Sequence, residues 1–137
     1  MELNNTSQYA IRILGYIASN GEDGLLSAKE LSEVLNIPYK FLTKIMTDLT
    51  KADFILSIRG REGGYKLARP SNEISIMEIL NQFNELTNYA ECILGIGKCD
   101  SKKRCALHEQ WVKPKTMMLK MFKETTLDKL KGPDYKI

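Results

Sequence analysis

The chain has 137 residues, 43% of them hydrophobic, and a formal net charge of +3. This length suits one domain with a hydrophobic core and an appendage, and this composition excludes a wholly disordered chain. No apolar segment is long enough to span a bilayer, and acidic Glu2 does not suit a secretory signal, so we expect a cytoplasmic protein without a membrane partner. Three cysteines, an odd number, do not fit a secreted disulfide framework.

Two helices are predicted before residue 36. The first runs from Ser7 to Ser19 and ends near Gly21, where glycine favours a helix stop. Ser27 and Glu30 form a capping-box pattern, which predicts the start of a second helix. The segment between the helices, Gly24 to Ser27, is predicted to connect them and to pair with a later hairpin. The apolar residues that the second helix is predicted to bury are Ala28, Leu31, Val34 and Leu35.

A third helix is predicted from residue 37 to 49, because apolar residues recur there at every third or fourth position. Pro38 suits its first turn, where the missing N–H is not needed. The apolar positions are Ile37, Phe41, Leu42, Ile45, Met46 and Leu49. Of these, we expect Phe41, Ile45 and Leu49 to be buried against the first two helices. The polar positions are Tyr39, Lys40, Thr43, Lys44, Thr47 and Lys51.

A β-hairpin is predicted next, with strands at residues 54–59 and 65–67 that are rich in β-branched and aromatic residues. Three glycines between them, Gly60, Gly63 and Gly64, allow a sharp turn. From residue 40 to 69, seven Lys and Arg residues accompany three Asp and Glu residues, a net charge of +4, whereas residues 1–39 carry −3. A helix followed by a basic hairpin is typical of a winged helix-turn-helix, whose positive charge attracts DNA phosphates. A merely solvated charged surface is the alternative.

The winged-helix interpretation predicts which side chains contact DNA. The third helix would enter the major groove, and the hairpin, or wing, would reach the adjacent minor groove. The predicted contacts from the helix are Tyr39, Lys40, Thr43 and Lys44, and those from the wing are Arg59 and Arg61.

The C-terminal part of the chain is predicted to form a short helix and a long one. Ser75 and Glu78 make a second capping-box pattern at the start of a helix that ends near Phe83. The helical pattern lapses from residue 88 to 104 and resumes at residue 105 or 106. Pro114 is expected to kink this long helix or to mark its first turn. A final short helix is predicted around residues 127–130.

The long helix carries an apolar stripe outside the predicted DNA-binding core. Its members are Leu107, Trp111, Met118, Leu119 and Phe122. Such a stripe indicates burial, either against a second copy of the chain or against the helix's own domain. We favour a homodimer, because helix-turn-helix proteins commonly bind two-fold symmetric DNA sites as dimers.

The three cysteines and the single histidine have the spacing Cys92-x6-Cys99-x5-Cys105-x2-His108. Thiolate and imidazole groups are ligands of zinc and of iron–sulfur clusters. The tight Cys-x2-Cys pairs of most zinc sites are absent, and longer gaps suit the separated irons of a cluster. Nearby Lys and Arg residues would favour thiolates and offset a cluster's negative charge. Buried free thiols and a metal-free redox pair remain the alternatives.

Taken together, these segments resemble the Rrf2 family of winged-helix regulators, of the IscR/NsrR type, over almost the whole chain. The resemblance rests on Tyr9–Arg12, on Ile37–Leu49 and, most specifically, on the wing sequence RGREGGYKLARP at residues 59–70. The three cysteines occupy the family's cluster-binding loop. Residues 105–108, with Trp111, are most similar to the IscR branch, which implies His108 as the fourth ligand of a two-iron–two-sulfur cluster.

Three departures from the IscR and NsrR patterns are visible. The gap between the first two cysteines has six residues, where IscR has five. Lys40, Thr43 and Lys44 stand where IscR carries a serine, a glutamate and a glutamine, so the preferred DNA sequence should differ. Gln8 stands where some nitric-oxide-sensing members carry an aspartate ligand, which disfavours a four-iron–four-sulfur cluster here.

The sequence therefore predicts a mainly α protein with a small β-hairpin wing. We expect a winged helix-turn-helix at residues 1–87, a cluster-binding loop at 88–108, and a dimerisation helix with a tail at 109–137. The predicted function is a dimeric transcription regulator that binds a two-fold symmetric DNA operator under control of an iron–sulfur cluster. A metal-free or thiol-switched regulator is the alternative. A small electron-transfer protein would not need the basic wing, and no residue pattern indicates an enzyme. Iron supply, oxygen, nitric oxide and redox state all remain open as the signal.

Overall fold

The structure, a computed structural model, describes residues 2–21, 24–132 and 135–137. The helices are α1 (Asn5–Asn20), α2 (Ala28–Leu35), α3 (Tyr39–Lys51), α4 (Ile76–Gln82), α5 (Leu86–Ala90) and α6 (His108–Glu124). The strands are β1 (Ile55–Ile58) and β2 (Gly64–Leu67), and short 3₁₀ turns cover Ser71–Glu73 and Leu127–Leu130. The predicted mainly α fold with a β-hairpin is confirmed. In the described part of the chain, no helix is both long enough and apolar enough to cross a bilayer.

Local signals in the sequence fix the first three helices. The Asn4 side chain accepts a hydrogen bond from the Ser7 N–H at 2.8 Å, which caps α1. The Ser27 hydroxyl accepts one from the Glu30 N–H at 3.1 Å and caps α2, as predicted. α2 ends at Asn36, whose φ of 51° is the left-handed conformation that helix ends often use. The core lies where α1, α2, α3 and α4 meet, and its fully buried side chains include Ile13, Leu14, Leu31, Leu42, Leu49 and Ile79.

The hairpin forms where it was predicted. β1 and β2 pair antiparallel, with Ile55 opposite Leu67 and Ile58 opposite Gly64. Leu26 exchanges two backbone hydrogen bonds with Tyr65, at 2.8 and 3.1 Å, so the segment before α2 does pair with the wing. A Cβ on Gly64 would lie 2.8 Å from the Leu26 carbonyl oxygen, so only glycine permits this close approach.

Two apolar residues that were predicted to be buried are exposed. Phe41 is 57% exposed and Val34 is 53% exposed, so both predictions were wrong. The buried side of α3 is Leu42, Ile45, Met46 and Leu49. Phe41 comes one residue before this stripe, and one residue turns a helix by about 100°, which directs the ring away from the core. Val34 likewise precedes the buried Leu35 and lies beside the packed stripe of α2.

The capping box that was predicted for α4 is complete. The Ser75 hydroxyl accepts from the Glu78 N–H at 3.2 Å, and the Ser75 N–H donates to the Glu78 carboxylate at 3.0 Å. Arg69 also donates to this carboxylate at 3.1 Å. Partial burial acts against ionisation, but the hydrogen bonds from Ser75 and Arg69 hold the pKa of Glu78 below its usual value.

The long C-terminal helix begins later than predicted. α6 starts at His108, because the His108 N–H closes a turn with the Cys105 carbonyl oxygen at 3.1 Å instead of extending the helix backward. Pro114 lies inside α6 and not in its first turn. Phe122 packs edge-on against Tyr89, with ring centroids 6.0 Å apart, and this contact attaches α6 to α5. The predicted final helix is the 3₁₀ turn Leu127–Leu130, which packs on α1.

Candidate nucleic-acid interface and candidate metal centre

The outer face of α3 is polar, basic and open to solvent. Tyr39, Lys40, Lys44, Thr47 and Lys51 are exposed there, whereas Thr43 is half-buried. The Thr43 hydroxyl donates to the Lys40 carbonyl oxygen at 3.1 Å, and the Thr47 hydroxyl donates to the Thr43 carbonyl oxygen at 2.9 Å. These internal bonds hold both hydroxyls against the helix backbone. The lysines therefore supply the charge that this face offers to a ligand.

The turn of the wing adds two more cations. Arg59 and Arg61 are exposed on either side of Gly60, whose φ of 123° is a conformation that L side chains rarely adopt. No salt bridge between described residues involves either arginine, or Lys40 or Lys44. Four cations that are not neutralised by carboxylates make this surface suited to a polyanion.

The four predicted cluster ligands converge on one pocket. A cavity of about 300 Å³ lies within the loop from α5 to α6, and Cys92, Cys99, Cys105 and His108 all line it. Cys92 and His108 are largely buried, and Cys99 Sγ lies 3.8 Å from His108 Nδ1. α5 ends two residues before Cys92, and α6 begins at His108, so helices fix both ends of the loop.

Two glycines give the loop its shape. The Cys92 N–H donates to the Gly97 carbonyl oxygen at 2.7 Å, and the Gly95 N–H donates to the Cys92 carbonyl oxygen at 2.8 Å. Gly95 and Gly97 have φ values of 69° and 83°, in the left-handed region that favours glycine. The resulting tight turn brings Cys99 back toward Cys92, although six residues separate them.

The pocket stabilises thiolate at one cysteine. The Leu94 backbone N–H, and the Cys105 thiol after it, donate to Cys92 and lower the pKa of its thiol. The pKa of the Cys105 thiol is raised, chiefly because Cys105 donates its proton to Cys92. Lys98, Lys103 and Arg104 also line the pocket, together with Asp100, and Arg104 is paired with Glu109. The lining keeps an excess of positive charge, which can offset the negative charge of a cluster.

The donor set consists of three thiols and one imidazole, which are ligand types of zinc and of iron–sulfur clusters. Among the described residues, no group of three or more Cys, His, Asp or Glu side chains is arranged to hold one metal ion. Three thiols and an imidazole nevertheless surround one pocket, and four protein ligands are the number that a two-iron–two-sulfur cluster takes.

Comparison with known proteins decides the family. A family model described as "Iron-dependent Transcriptional regulator" and named Rrf2 matches residues 3–132. The chain belongs to the Rrf2 family. It is 33% identical to the HTH-type transcriptional regulator NsrR of Oceanobacillus iheyensis over 131 residues, which are 95% of this chain and 89% of that relative. The resemblance to IscR/NsrR-type regulators is thus confirmed, and members of this family are transcription regulators and not enzymes.

Several solved structures share the fold of this chain. CymR, the global cysteine regulator of B. subtilis, matches with a TM-score of 0.79 and 21% identity over 95% of each chain. IscR of T. potens matches with a TM-score of 0.72 and 20% identity over 93% of this chain and 84% of that one. Staphylococcus aureus CymR in its oxidized form matches with a TM-score of 0.73 and 23% identity over 100% and 99%. These likenesses confirm the winged-helix architecture.

Two residues of this Rrf2-family surface differ from what the sequence indicated. Phe41 is exposed three residues before Lys44 and so lies beside the basic face of α3. Arg69 contributes to the basic segment of the sequence, but it is committed to Glu78 and lies over the Phe54 ring at 5.5 Å. Periodicity alone assigned Phe41 to the core. Its position at the start of α3, one residue before the buried stripe, was the signal that could have corrected this.

Proposed function

We propose that this protein is a homodimeric, sequence-specific regulator whose affinity for DNA is controlled by an iron–sulfur cluster. The observation that carries the proposal is the convergence of Cys92, Cys99, Cys105 and His108 on one pocket between α5 and α6. A bound cluster would supply redox and ligand-exchange chemistry at this pocket. A protein that must reach DNA is expected in the cytoplasm.

A two-iron–two-sulfur cluster is the form that the residues favour. Four side chains with nitrogen or sulfur donors face the pocket, and they satisfy the ligand number of such a cluster. The Gln8 side chain, at the position of an additional ligand in some relatives, donates instead to the Leu3 carbonyl oxygen. A four-iron–four-sulfur cluster therefore has less support.

A buried carboxylate connects the cluster loop to the DNA-binding helices. Glu85 is only 3% exposed, precedes α5, and accepts hydrogen bonds from Ser7 Oγ at 3.2 Å and from the Asn4 N–H at 3.3 Å. Asn4 in turn caps α1, which packs against α3. A change in the loop can alter DNA affinity only if it favours one arrangement of these helices over another. The Glu85 contacts give such a change a physical route.

On DNA, α3 occupies the major groove in this proposal. Tyr39, Lys40, Thr43 and Lys44 approach base edges or phosphates there. Arg59 and Arg61 extend from the wing into the adjacent minor groove, whose negative potential attracts arginine. The exposed Phe41 adds an apolar contact at the edge of the same surface.

An exposed stripe on α6 supports the dimer. The stripe that the sequence predicted for the dimer packs largely on the chain's own domain instead, because Met118, Leu119 and Phe122 contact its core. The charged side chains of Lys113 and Lys120 project on the opposite side of α6. An exposed apolar stripe lies between these two faces. Its residues are three to seven positions apart, a spacing that places their side chains on one side of a helix. It consists of Pro114, Met117 and Met121 of α6, together with Leu107 just before the helix. A second copy that packs its own stripe here would give the two-fold symmetry that operators commonly have.

The proposal divides the chain by role. Residues 1–87 carry the DNA-binding unit, residues 88–108 the cluster-binding loop, and residues 109–137 the dimerisation helix and tail. The first boundary falls inside α5, so the cluster loop is a direct extension of the DNA-binding unit. Residues 133–134 of the tail lie outside the described residues.

The test is anaerobic purification followed by visible spectroscopy and iron and sulfide analysis. We expect a coloured protein, loss of visible absorbance in Cys92→Ala, Cys99→Ala and Cys105→Ala, and an altered spectrum in His108→Ala. Ser101→Ala, in the same loop but without a donor to the cluster, is the matched control and should keep the parent spectrum. A colourless parent protein after cluster reconstitution would contradict the proposal.

A thiol-switched regulator is the second candidate, and one contact favours it. Cys92 and Cys105 line the same pocket and shift each other's pKa, so peroxide can oxidise the two thiols to a disulfide with release of two waters. A Staphylococcus aureus CymR structure in an oxidized form shares the fold. A metal-free protein whose DNA affinity changes with peroxide, and no longer changes in Cys92→Ala, would favour this candidate.

A further inference from the structure

A separate pocket of about 720 Å³ lies between α1 and the C-terminal residues. It shares no lining residue with the cysteine pocket. Its volume falls within the range of about 300–1,000 Å³ that small-molecule sites occupy. Its lining residues are Ile11, Arg12, Lys129, Leu130, Tyr135, Lys136 and Ile137.

The lining has a clear chemical division. Among the described residues that line it, three have cationic side chains, Arg12, Lys129 and Lys136, and none has an acidic one. The other four are aliphatic or aromatic. The clustered positive charges raise the local concentration of anions. The apolar side chains beside them favour burial of the apolar part of a ligand. We propose that this pocket binds a small amphipathic carboxylate and that the bound ligand weakens DNA binding.

One wall of the pocket is fitted to α1. A Cβ on Gly15 would lie 2.2 Å from Ile137 Cδ1 and 3.5 Å from Leu130 Cδ1. Glycine inside a helix is destabilising relative to alanine, so its presence at this position has a packing reason. Gly15 gives Ile137 and Leu130 room against α1, and these two side chains then form the apolar wall.

Arg12 connects the pocket to the DNA-binding unit. Its guanidinium donates to the Leu35 carbonyl oxygen and lies over the Tyr9 ring at 5.9 Å. Leu35 is the last residue of α2, and the turn that follows it leads into α3. A ligand carboxylate that draws the guanidinium into the pocket lengthens its bond to the Leu35 carbonyl, because paired charges make the stronger hydrogen bonds. The ligand thereby loosens the contact that supports the turn, and DNA weakens ligand binding by the same factor.

The test uses anilinonaphthalene sulfonate as a fluorescent probe on the full chain and decanoate, below its micellar concentration, as the competitor. We expect saturable probe binding that decanoate displaces and decylamine does not. Replacing Lys129→Glu and Lys136→Glu together should weaken probe binding about tenfold or more, because it places like charges beside the anion. Lys113→Glu with Lys120→Glu makes the same change of net charge on the exposed face of α6 and should leave binding within about twofold.

Equal losses in the two double variants would show that only net charge matters and would overturn the proposal, as would no loss in either. Displacement by decylamine as strongly as by decanoate would also overturn it. Circular dichroism establishes that each variant is folded. If Lys129→Glu disturbs the fold, the single variants Lys136→Glu and Lys113→Glu are compared in place of the double variants. Addition of decanoate should also lower DNA affinity in the parent protein, and unchanged DNA affinity at saturating decanoate would refute the coupling.

Discussion

The exposed ring of Phe41 gives the sharpest test of the helix-turn-helix surface. Phe41 is 57% exposed. A fully enclosed aromatic side chain buries about 150–250 Å², so here less than half of that area is removed from water. At about 25 cal/mol per Å², this buried part corresponds to about 1.5–3 kcal/mol. Alanine keeps the Cβ and the backbone, so Phe41→Ala should lower the free energy of unfolding by only about 1–2 kcal/mol.

Leu42→Ala is the matched variant, one residue along the same helix. Leu42 is fully buried, so its truncation removes core contacts, leaves a cavity and should cost about 2–5 kcal/mol. Urea unfolding followed by circular dichroism measures both changes, provided that the slope with denaturant is the same in each variant. In DNA titrations by fluorescence anisotropy, Phe41→Ala should lose about 1–3 kcal/mol of binding free energy, because DNA covers the exposed ring. A Phe41→Ala variant that is as unstable as Leu42→Ala, or that binds DNA like the parent, would refute this account of the surface.

Arg59→Ala should weaken DNA binding by about 1–3 kcal/mol if the side chain contacts a base, or reduce the slope of log affinity against log salt by about one if it contacts phosphate. Lys113→Ala, on α6, is the control, and a variant at Arg59 that equals the parent at all salt concentrations excludes the wing contact. Met117→Lys with Met121→Lys should convert a dimer to a monomer in sedimentation equilibrium, because burial of two ammonium groups at the stripe is costly; an unchanged mass excludes this interface. Glu78→Gln should be less stable than the parent near neutral pH. The difference should disappear as the pH falls through the lowered pKa of Glu78, because protonation removes the same interactions, and a difference that does not vary with pH would contradict this.

The parts of the fold that the sequence predicted well are those that depend on residues close together in the chain. The capping box at Ser75 and Glu78 needs two residues three apart, and the wing needs glycines between two short β-rich runs. Both patterns are local, so both could be recognised before the structure was known. No local pattern of this kind marks the start of α6. Cys105 forms a turn with His108, and helix propensity does not distinguish that turn from a first helical turn.

Tertiary contacts decided the rest. Phe41 belongs to the helical period of α3 by residue type, and only the direction from which α1 and α2 pack shows that it lies outside the buried stripe. The Glu85 contacts with Ser7 and Asn4 join residues about 80 positions apart, which no local pattern could indicate. The cysteine spacing indicated a cluster loop, whereas the pocket that brings Cys92 beside Cys105 depends on the tight turn at Gly95 and Gly97.

The central claim is that a cluster at the cysteine pocket sets DNA affinity. The most direct measurement is an anaerobic titration of operator DNA with one preparation of the protein, before and after removal of iron by a chelator. The account predicts affinities that differ by about 5- to 150-fold, and a Cys92→Ala protein that has the affinity of the iron-free form whether or not iron and sulfide are supplied. Equal affinity before and after removal of the iron, or a Cys92→Ala protein that still responds to iron and sulfide as the parent does, would contradict it.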